Sequence, residues 1–261
     1  MNNRESLNKL LMLINEVSKI PGNEWFKKEI FKTESIKIPE SNNVPINDIY
    51  EYCIKKIIKE HAEKFYSDFK IASIKQKLIS DFVRMEQYRR EDNFEDFCLA
   101  AFQQLESIVN YLIDKPNILN LIRDTKSTPA IHKFNFETKK YERKGSQTVG
   151  GLIFQTSDSN MINSNLEKPI NEWAFNRKFR SCLYLFYFNT EIKTNTDKFD
   201  ELYLIGLTLY QGRNLNHRGS TPTQRQKDII DKLLPNQYKY YFKFLGFLEE
   251  FISTININLL T

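Results

Sequence analysis

Residues that interrupt helices are scarce in this chain. Eight glycines and eight prolines are spread over 261 residues, roughly half of what average usage would supply. The backbone therefore has few places to turn and is expected to run in long helices. The apolar residues agree, because they recur at the three- and four-residue intervals that line one face of a helix. Leu7, Leu10, Leu11, Ile14 and Val17 form one such stripe, which Pro21-Gly22 stops. A short helix is expected around Trp25, Phe26 and Ile30, then a loop from Ser35 to Pro45. Ile49, Cys53, Ile57, His61 and Phe65 make a period-of-four stripe in which His61 takes a core or interfacial position, and Phe69, Ile74, Leu78, Phe82 and Met85 continue in a further helix.

Asp92 is placed as the cap of the next helix, with Glu95 three residues on. Phe94, Phe97, Cys98, Ala101, Leu105, Ile108 and Leu112 form its apolar side. Gln103, Glu106 and Asn110 lie on an adjoining stripe, where they meet a polar site if a second helix faces them and are a solvated edge otherwise. From Lys126 to Pro169 the periodicity breaks down, and the segment is expected to leave the helical body as an irregular insertion with a small β-hairpin near Lys133-Phe134-Asn135-Phe136. Gly150-Gly151 within it lacks the surrounding pattern of a phosphate loop. Helicity resumes from Trp173 to Phe188, whose many aromatic residues suit core packing better than base stacking. A helix capped by Asn195 or Thr196 then carries Phe199, Leu202, Tyr203, Gly206, Leu209 and Tyr210, and Thr221-Pro222-Thr223-Gln224 opens another. The last helix, about Gln237 to Asn256, is apolar on two faces, Tyr238/Phe242/Leu245/Leu248 and Tyr240/Phe244/Phe247/Phe251. Such a helix needs two partners, and a second copy of the chain is one candidate.

No stretch approaches the roughly 18 to 20 apolar residues that cross a bilayer, and the start lacks an apolar signal core, so no membrane association and a cytoplasmic location are expected. Cys53, Cys98 and Cys182 are odd in number, far apart and set among apolar residues, which suits buried, reduced thiols. His61, His132 and His217 form no ligand cluster, so neither a metal nor another cofactor is expected. The net charge of +5 is compatible with a polyanionic partner, although basic and acidic residues alternate along most of the chain.

One place breaks the pattern. Arg213 and His217 extend the Leu202/Gly206/Tyr210 stripe and, if the helix continues, share its core-facing side one turn apart. A cation and an imidazole there are costly unless they are paired or line a cleft, and such local conflicts mark functional sites. The run Gln211-Gly212-Arg213-Asn214-Leu215-Asn216-His217-Arg218-Gly219 at the end of an amphipathic helix, followed by a closing helix, resembles the HEPN family of helical ribonucleases and nucleotide-binding domains. The helix from Asp92 to Ile113 resembles that family's earlier core helix, so the likeness covers roughly Asp92 to Ile257. The family's Arg and His are usually separated by four to six residues, and here only Asn214, Leu215 and Asn216 intervene.

The resemblance implies an all-α fold: a HEPN-type helical bundle over 91–261 with the insertion at about 126–169, preceded by an N-terminal helical extension over 1–90. It implies a metal-independent endoribonuclease of bacterial defence or toxin systems, with RNA as substrate and an antitoxin or effector-system protein as a further partner. Arg213, His217 and Asn214 are the catalytic candidates. Arg218 would bind RNA, together with Glu106 and Asn110 if their stripe faces the site. One histidine cannot readily serve as both base and acid, so a homodimer with a composite active site is implied. The rival readings are a non-catalytic HEPN module binding RNA, a nucleotide or a protein, and a helical scaffold in which Arg213 and His217 pair structurally.

Overall fold

The computed structural model describes Lys9, Met12, Glu16, Lys19 and Ile20 and residues 46–114, 116–130, 133–138, 140–142, 147–187, 196–215 and 224–258. The stripe over Leu7 to Val17, the short helix at Trp25, the loop to Pro45, His132, the end of the aromatic run at Phe188 and the caps at Asn195 and Thr221 fall largely or wholly outside them. The chain divides into two units, Met1–Tyr52 and Cys53–Thr261. The second holds the core described below.

That unit is mostly helical. Helix α1 (Ile46–Phe65) enters it, followed by α2 (Ala72–Arg90), α3 (Phe94–Ile113) and α4 (Pro116–Thr125). Strands β1 (Lys133–Asn135) and β2 (Lys140–Glu142) come next, then α5 (Val149–Phe154), α6 (Ser159–Glu167), α7 (Phe175–Tyr187), α8 (Thr196–Gly212), α9 (Gln224–Leu233) and α10 (Gln237–Asn258). Helix α3 is the hub, packed against α2, α4, α7, α8 and α10. Its sequence explains this: Phe94, Phe97, Ala100, Ala101, Phe102, Leu105, Ile108, Val109, Leu112 and Ile113 wrap most of its circumference and leave only a narrow polar flank, and all are buried. Gly206 on α8 permits a close crossing, since an added Cβ would collide with the Phe179 ring of α7 and crowd Phe247 of α10.

Several expectations need correction. On α1 the buried residues are Ile58 and Ala62, continuing to Tyr66, whereas Ile57 and His61 are exposed. Two interleaved period-of-four stripes were available, and the one that runs on into Tyr66, Phe69 and Ile71 is enclosed. His61 only touches the Phe82 ring edge-on at 5.3 Å. The cap of α3 is Asn93, whose side chain accepts from the Asp96 amide, while Asp92 adopts φ 55 to turn the chain between α2 and α3. Asp is among the few residues that tolerate this left-handed conformation.

The largest correction concerns 126–169, which does not leave the helical body. Phe134, Tyr141, Val149, Leu152, Ile153, Ile162 and Leu166 all belong to the one core cluster, and the segment carries α5 and α6 besides the expected hairpin. The strands pair antiparallel with Phe134 opposite Tyr141. Side chains close both outer edges of this small sheet: Gln147 Oε1 accepts from the Phe134 amide and Asp200 Oδ1 from the Tyr141 amide. Arg180 of α7, 2% exposed, ties the segment down by donating to the Ile153 carbonyl in the last turn of α5 and to the Tyr203 hydroxyl. Helices this short carry no periodicity that a sequence could display.

The C-terminal helix is also more enclosed than expected. Phe244, Phe247, Leu248, Phe251, Ile252 and Ile255 from both of its apolar faces are buried within this one chain. Of its large apolar residues, Tyr238 and Phe242 in the first turns remain open, at 67% and 66% exposed. Among the described residues no helix is long and apolar enough to cross a membrane.

The three cysteines are free, Cys98 and Cys182 buried and Cys53 half-buried. Burial pushes the Cys182 thiol up to about 12 and the Cys98 thiol higher still. The reactive species is the thiolate, so a disulfide reagent should titrate Cys53 alone in native buffer and all three after denaturation. Rapid native labelling of all three would show that α3 and α7 are not packed as described.

Candidate functional site

The site grows out of the polar stripe on α3. Because 103, 106 and 110 recur at three- and four-residue spacing, their side chains share one flank of the helix. Each meets a basic side chain from a different neighbour. Gln103 Oε1 accepts from Arg84 Nη2 of α2 at 2.8 Å. Glu106 Oε1 lies 3.8 Å from Arg213 Nη1, just past the end of α8. Asn110 Oδ1 accepts from Lys178 Nζ of α7 at 3.0 Å. The stripe is thus half-solvated but partnered, with Glu106 39% and Arg84 47% exposed, and the structure brings Arg213 and Glu106 together.

Arg213 is held chiefly by rings. Its guanidinium carbon sits 4.2 Å from the centroid of Tyr210 and 4.5 Å from that of Phe102. Tyr210 in turn stacks on Phe175 at 5.2 Å, and Phe102 meets Phe175 edge-on at 4.8 Å. Contacts of this kind contribute roughly 0.5–2 kcal/mol each, more than the about 0–1 kcal/mol of a partly exposed ion pair beyond hydrogen-bond distance. Among the described residues the Arg213 guanidinium donors make no hydrogen bond, and the side chain is 28% exposed. The rings thus clamp the cation from two sides, and its N–H groups have no hydrogen-bond partner among the described residues.

The backbone at this point departs from the continuing helix. Helix α8 closes at Gly212, and Asn214 and Leu215 turn back with amides donating to the Gln211 and Gly212 carbonyls. These three-residue bonds tighten the chain, so the one-face argument for Arg213 and His217 does not hold through Leu215. Asn214 and Leu215 are half-buried. Asn216, His217 and Arg218 lie outside the described residues.

Beneath the stripe is a polar pocket of core. Tyr66 Oη donates to Gln104 Oε1 at 2.6 Å, Gln104 Nε2 donates to the Ala100 carbonyl, and the buried Asp81 is paired with Arg84. Burial, with Asp81 nearby, raises the Tyr66 hydroxyl well above its ordinary value. Elsewhere a cleft of about 530 Å³ runs along β1, walled by Phe134, Phe136, Gln147 and Thr148, and holds none of the candidate catalytic or RNA-binding residues. Among the described residues no three His, Cys, Asp or Glu side chains are grouped so as to hold a metal ion.

Sequence reasoning missed Arg84, Lys178 and the Phe102/Phe175/Tyr210 cluster as parts of this site. Phe102 and Glu106 are one turn apart on α3, and Arg213 follows three residues after Tyr210 at the end of α8, but nothing in the sequence states that the two helices meet there. No family model, curated protein or solved structure matches this chain.

Proposed function

We propose that this chain is a metal-independent endoribonuclease of HEPN type, acting in bacterial defence or as a toxin. The observation that carries the reading is the Arg213 guanidinium, oriented by two aromatic faces with its donors unbonded among the described residues. A planar fork of that kind suits a phosphodiester, which it can grip bidentately while offsetting charge that builds on the phosphoryl oxygens. Four residues further along the chain, His217 supplies the group that titrates near neutral pH.

The reaction follows from these groups. The ribose 2′-oxygen attacks phosphorus as a base removes its proton, a 2′-O–P bond forms, and the P–O5′ bond breaks as an acid protonates the departing 5′-oxygen. The products are a 2′,3′-cyclic phosphate and a 5′-hydroxyl, and DNA, lacking the 2′-hydroxyl, is left intact. Asn214 orients the phosphate or the imidazole. Glu106, at its distance from Arg213, steadies the guanidinium between turnovers. The test is cleavage by the purified protein in EDTA. Cyclic-phosphate ends should appear on RNA and not on DNA, and chelator-sensitive activity would remove the mechanism.

Two imidazoles serve as base and acid when two copies meet about a twofold axis. Sedimentation velocity at micromolar concentration should accordingly show at least a dimer. The open Tyr238/Phe242 face of α10 is an apolar surface that a second copy can cover. A monomer under those conditions would leave each site with a single histidine and count against the composite arrangement.

A further inference from the structure

We infer that Arg84, Arg213 and Lys178 form a track for the phosphate backbone of an RNA strand, laid along the 103/106/110 flank of α3. The inference rests on the ribonuclease reading for its ligand, and deepens it by naming two residues, Arg84 and Lys178, outside the segment around His217. Three cations arrive from three separate segments, two helices and the turn after α8, and are spaced by the stripe that receives them. At 1.5 Å of rise per residue the stripe extends roughly 10 Å, so the row is a line rather than a point. A line of separated cations matches the repeating charge of a nucleic-acid backbone better than a single small anion.

The partners on α3 are suited to the task. Gln103 and Asn110 are neutral, so they orient Arg84 and Lys178 without cancelling their charge, and Glu106 is the one carboxylate on the stripe. Arg84 also holds the buried Asp81 through the Nη2 atom that reaches Gln103, but its side chain is 47% exposed. The rings beneath the row are engaged already: Phe102 and Phe175 are buried, and Tyr210 stacks between Phe175 and Arg213. With these rings already engaged, the contacts fall on phosphates, which position a strand without reading its sequence.

The experiment uses the full chain and a 2′-O-methyl oligoribonucleotide, which binds without being cleaved, with affinity measured over a range of salt. Lys178→Gln removes one cation, and Asp81→Asn/Arg84→Gln removes a second; Asp81→Asn is included because Arg84→Gln alone would leave the buried Asp81 carboxylate without its ion-pair partner, and thermal unfolding of each variant is compared with the parent before binding is measured. Lys59→Gln, at an exposed α1 position paired with Glu63, serves as the control for net charge. Each track variant should reduce the slope of log affinity against log salt by about 0.7, and should weaken oligo-U and oligo-A by the same factor. Slopes that do not change, a reduction just as large for Lys59→Gln, or losses that depend on sequence would overturn the track. Binding with these slopes but no cleavage of unmodified RNA leaves the track standing and removes the catalytic reading. Cleavage with unchanged slopes does the reverse, and absence of any binding removes both.

Discussion

His217→Ala should lower RNA cleavage by roughly 10²- to 10⁴-fold, the range for loss of a positioned acid or base, while binding stays largely intact because a neutral imidazole adds little to phosphate affinity. Arg213→Ala should weaken both steps, since on the proposed reading the guanidinium grips the phosphate before and during bond cleavage. Single-turnover rates and equilibrium binding on the same RNA separate the two outcomes. If both variants cleave like the parent, another site is responsible. If both only unfold earlier on heating, the pair is structural and the scaffold reading stands.

The second large effect belongs to Phe102. Its ring is 1% exposed and joins three things: the packed interior of α3, Phe175 of α7, and the clamp on Arg213. Phe102→Ala should destabilise the protein by about 3–5 kcal/mol, the usual cost of emptying a buried aromatic site. Phe102→Leu keeps much of the apolar volume and should cost less, yet it removes one face of the clamp. Denaturant unfolding should therefore rank Ala well below Leu, whereas RNA affinity should fall in both. An alanine variant that unfolds with the parent's midpoint would mean that the ring is not in a packed core.

How much of this could be seen in advance depends on helix length. Helices of about twenty residues, such as Phe94–Ile113 and Gln237–Asn258, display several turns of apolar periodicity, and their existence was legible. The six-residue α5 and nine-residue α6 were not, because one or two turns do not establish a period. Phase was harder than existence. On α1, Ile57 and Ile58 are chemically alike, and only the path of the chain through Tyr66 to Ile71 decides which is buried. Within the site, the stripe Gln103/Glu106/Asn110 was visible as a polar flank, but its partners came from places the sequence does not connect. Lys178 is 68 residues from Asn110, and Arg213 is still farther from Glu106.

The hub position of α3 has a consequence for how the protein is made. Its apolar surface is finished at Ile113, but the residues of α10 that cover part of it, Tyr241 against Phe94 and Phe97 among them, are not synthesised until more than a hundred residues later. At ordinary elongation rates that interval lasts on the order of ten seconds. Throughout it, the most apolar helix of the chain stands without its last partner on the ribosome. The nascent protein should be a client for holding chaperones until α10 emerges, and a product truncated before Gln237 should aggregate rather than persist as a smaller folded body.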